Sequence, residues 1–86
     1  MKEKMIGIVS HYYKKIGVAV INVGDTLTIG DTIHIKGDTT DFIQKLKSIQ
    51  MEHKNIEQAK TGDLIGMKVD GDVRENDVVY KQTEVG

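Results

Sequence analysis

Histidines, adjacent tyrosines and scattered lysines are the side chains of this 86-residue sequence with chemistry to offer. His11, Tyr12, Tyr13, Lys14 and Lys15 stand in one run. That run sets aromatic faces beside cations, the combination by which single-stranded RNA is held. Lys45, Lys47, His53 and Lys54 follow later, and in an extended chain Lys45, Lys47 and His53 share one face by parity. His11, Tyr13, Lys14, Lys15, Lys45, Lys47 and His53 are therefore the candidate nucleic-acid-binding set. The competing reading is that one tyrosine fills the interior while the lysines keep a small protein solvated.

Catalytic and metal chemistry find no footing. His11, His34 and His53 are far apart in sequence, with no pair at ligand spacing, so zinc is not expected. Ser10 and His11 are adjacent strand residues and should point to opposite faces. Ser48 and His53 make no convincing shared site, and Asp70 and Asp72 fall in an Asp-Gly-Asp turn. The sequence has no cysteine, which removes disulfides and thiolate ligands. No catalytic residue, metal or cofactor is expected, and the chain reads as a binder and not an enzyme.

The elements that position these residues must come from a thin core. A chain of this length makes one domain, spanning 1–86 with its core at about 5–82, and buries only about 60–65% of its unfolded surface. Trp is absent and Phe42 is the single phenylalanine, so Ile, Val, Leu and Met must do the packing. No apolar run is long enough to cross a membrane or to serve as a signal peptide, and the cytoplasm is the expected location. The net charge of −1 exerts no global pull on nucleic acid. Residues 1–56 carry eight lysines against six acids, and residues 57–86 carry four bases against seven acids.

Nine glycines and no proline punctuate the chain. Met5 to Tyr13 and Gly17 to Val23 read as a hairpin. Residues 24–38 alternate with period two on both sides of a Gly30-Asp31 turn, residues 62–72 read as a further strand, and Val78-Val79-Tyr80 as the last. Residues 39–54 are ambiguous. Phe42, Ile43, Leu46, Ile49 and His53 fall on one helical face, whereas a strand needs a bulge or bend between Leu46 and Ile49.

These signals in order resemble a known scaffold. Gly17-x-Ala19-x-x-x-Val23, the Gly30-Asp31 turn, a central strand ending near His53, Ala59-x-x-Gly62-Asp63-x-x-Gly66 and the turn before Val78-Val79 are similar to the second domain of translational GTPases such as elongation factor Tu. They are also similar to the C-terminal barrel of collagenase-like peptidases. Asn76-Asp77 stands where the pattern has Gly-Asp, and Asn tolerates the left-handed backbone best after Gly.

The resemblance implies an all-β fold, a small closed six-stranded antiparallel Greek-key β-barrel of the translation-factor type, with residues 40–53 as one long bent strand. Both the phosphate loop Gly-x-x-x-x-Gly-Lys-Ser/Thr and a peptidase catalytic domain are missing from this sequence. The implied function is a stand-alone, non-catalytic module contacting tRNA, ribosomal RNA or a translation-related protein. The alternative is an interaction subunit docking onto a separately encoded peptidase-like or GTPase-like enzyme. Open edge strands would allow a weak homodimer as well as a monomer.

Overall fold

The computed structural model describes residues 2–83. Ten strands follow one another: β1 (Lys2–Tyr13), β2 (Val18–Val23), β3 (Leu27–Thr28), β4 (Thr32–Lys36), β5 (Asp41–Lys45), β6 (Ile49–Met51), β7 (Lys54–Ile56), β8 (Gln58–Ala59), β9 (Leu64–Lys68) and β10 (Val78–Thr83). Eight form an antiparallel sheet in the order β5-β4-β10-β1-β2-β9-β6-β7, and β3 pairs with β8 separately. No described residue is helical, so no helix is long and apolar enough to cross a membrane.

The all-β expectation therefore holds, and the closed six-stranded barrel does not. The eight-stranded ladder ends in β5 and β7, which do not pair with each other among the described residues. Side chains and turns draw the rolled sheet together instead. Gln44, buried on β5, donates to the Lys68 carbonyl at 3.0 Å and accepts from Asp70 N–H at 2.7 Å. It thus joins β5 to the end of β9, although four strands separate them in the ladder. The β3–β4 turn lies between the two edges. Gly30 N–H donates to Leu46 at 2.9 Å, Leu46 N–H to Asp31 at 2.8 Å, and Ile29 N–H to Glu57 at 2.9 Å.

The long strand expected over 40–53 is two strands, β5 and β6, separated by residues 46–48. Gln44, Leu46 and Ile49 are all buried. Positions 46 and 49 have opposite parity, so an unbroken strand would expose one of them. The irregular residues absorb the mismatch. In β1, register shifts at Ile6 and Ser10 do the same work, turning Ile6 and Val9 inward and Ile8 outward. Gly7 permits the first shift, because a Cβ there would come 2.7 Å from the Ile21 side chain.

Three turns share one design. Thr28–Asp31, Lys60–Asp63 and Arg74–Asp77 each place their third residue at positive φ: Gly30 at 93°, Gly62 at 92° and Asn76 at 74°. In each, the closing aspartate accepts the first residue's N–H on Oδ2, at 2.9, 2.9 and 2.8 Å, and returns its own N–H to that residue's carbonyl. Asn76 keeps the geometry without glycine, as the sequence suggests.

The core is Ile6, Val9, Ala19, Ile21, Val23, Leu27, Ile33, Ile35, Leu46, Ile49, Ala59, Ile65, Met67, Val69, Val73 and Val79, with no aromatic fully inside. Two stability outcomes follow. Gln44→Ala removes both seam bonds and should lower unfolding free energy by about 2 kcal/mol in urea titration. Asn76→Gly should stay within a few tenths of wild type, whereas Asn76→Val should lose about 1–2 kcal/mol to left-handed strain.

Candidate functional site

The first hairpin gathers part of the expected set. His11 and Tyr13 are both exposed, with ring centroids 4.5 Å apart in an edge-on pair. The shift at Ser10 leaves Ser10 and His11 both on the outside, contrary to simple alternation, but no hydrogen bond joins them among the described residues. His11 Nδ1 lies instead 3.4 Å from Glu75 Oε1. Tyr12 is half-buried and donates its hydroxyl to Asp72 Oδ1 at 2.8 Å, which raises the phenol's pKa and leaves it no base. Lys14 reaches a groove of about 420 Å³ lined also by Tyr12, Thr39, Thr40, Asp72 and Arg74. Lys15 is exposed in the β1–β2 turn.

The second half of the set is dispersed. Lys45 sits on the edge strand β5, Lys47 lies in the break after it with Nζ 3.1 Å from Asp70, and His53 occupies the β6–β7 turn with φ 66°. The shared strand face expected for Lys45, Lys47 and His53 does not exist, since the break and the turn both interrupt parity. Acids answer the cations here: Asp70 meets Lys47, and Asp72 and Glu75 flank the hairpin. Among the described residues no group of three His, Asp or Glu side chains is placed to hold a metal ion.

A different surface is more organised. The registers align Ile43, His34, Tyr80 and Met5 in a row across β5, β4, β10 and β1. A second row runs Lys36, Val78, Ile8 and Asn22 to Leu64. Ile43 and Met5, at the ends of the first row, are 55% and 51% exposed. Between them His34 is held from both sides: Nδ1 is 2.5 Å from Glu3 Oε2, and Nε2 bonds Asp41 Oδ1. Gln82 Nε2 donates to the same Glu3 oxygen at 3.1 Å.

A neutral imidazole has one N–H, so satisfying two carboxylates requires the imidazolium. The hydrogen bond His34 donates to Asp41, then that to Glu3, raises the His34 pKa, and the same bonds lower both carboxyl groups. Period two places His34 outward in the sequence. Its clamp was not legible there, because Glu3 lies 31 residues away and meets it only through the β10 crossing.

No family model matches the chain. Solved structures do, among them the C-terminal domain of a putative U32 peptidase from Geobacillus thermoleovorans, with a TM-score of 0.88 over 93% of both chains, and its selenomethionine variant, at 0.84 over 88% and 96%. Each is 19% identical in sequence. The fold is that of a peptidase C-terminal domain. A curated relative, named an uncharacterized protease of Methanocaldococcus jannaschii, is 47% identical over 76 residues. The match takes in 87% of this chain, which spans only 19% of that protein.

These findings overturn the translation-factor reading, and with it the expected contact with tRNA or ribosomal RNA. The resemblance to translational GTPases rested on Gly-Asp turns and β-branched strands. Those residues specify turn geometry and a rolled sheet, which unrelated functions can share. The peptidase half of the resemblance is the half that stands.

The His34 clamp makes a pH outcome. A raised folded-state pKa means that the histidine's contribution is complete below its unfolded value of 6.5 and is lost as pH rises through the folded value. The lowered carboxyl groups act oppositely, contributing above their unfolded values and losing that contribution as pH falls. The melting-temperature gap between wild type and His34→Gln should therefore be widest near pH 6, narrowing toward pH 9 and toward pH 3. A gap that is constant across this range would contradict the clamp.

Proposed function

We propose that this chain is a non-catalytic accessory module that docks onto a peptidase-like catalytic domain. The observation that carries the reading is the 47% identity to a fifth of a protein named a protease, over nearly the whole of this chain. That relative has most of its length elsewhere, so a division of labour between module and remainder is the economical account. The fold of a peptidase's C-terminal domain supports the same reading.

The local chemistry agrees. Both nitrogens of His34 face carboxylates, Tyr12 is tied to Asp72, and His11 meets Glu75 without a hydrogen-bonded serine. None of these arrangements presents a nucleophile with a free base beside it, as peptide hydrolysis through a covalent intermediate requires. The work left to such a surface is contact.

The test uses the isolated chain and the Methanocaldococcus jannaschii protein without its matched segment, checked for folding by circular dichroism. Saturable association in biolayer interferometry, unaffected by nuclease, is the expected result. No association at concentrations up to about 100 µM would overturn docking. Hydrolysis of casein by the isolated chain would overturn the non-catalytic half.

A further inference from the structure

The outward face of β5, β4, β10 and β1 carries more apolar surface than a small solvated sheet needs. Ile43, Tyr80 and Met5 lie in one register row, and Val78 and Ile8 in the next. Scattered exposed apolar residues are ordinary, but a contiguous patch marks a contact surface. Glu3, His34 and Asp41 sit within it and hold the strands in one arrangement.

We infer that this face is the docking surface, and that its occupant is the catalytic part of a peptidase of the kind that carries this module. The inference rests on the docking reading above and adds the place. Chain geometry points to it. Lys2 pairs with Thr83, so both ends of the described chain emerge side by side from β1 and β10, neighbouring strands of this face. In the Methanocaldococcus jannaschii relative, the remaining four-fifths of the protein joins its matching segment at one or both ends. A remainder tethered there starts a few residues from the Met5–Tyr80 pair.

Charge narrows the partner's chemistry. Glu3 spends Oε2 on His34 and Gln82, and Asp41 spends Oδ1 on His34. Glu3 Oε1 and Asp41 Oδ2 take no hydrogen bond among the described residues, and Asp41's side chain is 70% exposed. The partner surface is therefore apolar, with a lysine or arginine placed for these oxygens. A second copy fits less well. Two-fold pairing about the middle of the row would set Met5 on Ile43 of the other copy and bring Glu3 toward Asp41, carboxylate against carboxylate.

The absence of cysteine in this chain gives a direct test. Met5→Cys, Ile43→Cys and Ile16→Cys each replace a side chain more than half exposed, Ile16 serving as the control at the β1–β2 turn. Each variant is studied alone and within the full Methanocaldococcus jannaschii protein, where the chain replaces the matched segment. Thiol alkylation rates are read peptide by peptide in a mass spectrometer. Positions 5 and 43 should react at least ten-fold more slowly in the full protein, with position 16 unchanged.

Protection at 16 with 5 and 43 free would overturn this face while leaving docking intact. Rates that are the same in the isolated chain and the full protein at all three positions would overturn this face, and the association measurement above then decides docking itself. Protection of 5 and 43 in the isolated chain that grows with its concentration would assign the face to a second copy and overturn the stated occupant.

Discussion

The structure depends on drawing a wide sheet together around a core that lacks a fully buried aromatic ring. Backbone pairing leaves β5 and β7 as unjoined edges, so part of the closure passes to side chains and turns. Gln44 is the centre of this arrangement. Its amide has both a donor and an acceptor, and it spends them on a carbonyl and an N–H two residues apart, at Lys68 and Asp70. A buried amide so satisfied carries little desolvation penalty, whereas an aliphatic residue would pack there and leave the seam unbonded. The β3–β4 turn supplies the corresponding bonds to Leu46 and Glu57.

Much of this fold was legible because glycine, aspartate and alternation are local signals. The turns at Gly30-Asp31, Gly62-Asp63 and Asn76-Asp77 announce themselves through positive φ and a carboxylate one residue later, which needs no knowledge of the distant chain. Residues 39–54 misled helical periodicity because a broken strand can bring Leu46 and Ile49 to one side as a helix would. The short strands β7 and β8 gave no signal. Two or three residues are too few for alternation to register, and their pairing is decided by partners elsewhere.

The surface was less legible than the core. A hydrophobic pattern states which face is wet, but it does not state which wet residues become neighbours. His34 could be placed outside, yet its companions come from β1 and β5, at opposite ends of a four-strand span. The lysines illustrate the converse. Counting them suggested a cationic surface, and the fold set Asp70 against Lys47 and Asp25 against Lys4. Charge composition constrains the sum, while topology decides whether opposite signs meet.

The pairing of the first strand with the last also constrains how the molecule comes into being. During synthesis β1 and β2 can form their hairpin early, but β10 is the final described strand to leave the ribosome. Until it arrives, β4 and β5 have no connection to β1 through the sheet, and the β1 edge bearing Met5 stands open to other unpaired strands. Folding must then close a loop of nearly the whole chain, a slow step by the ordinary dependence of rate on sequence separation. Any interruption of translation before β10 would release two incomplete sheets with sticky edges.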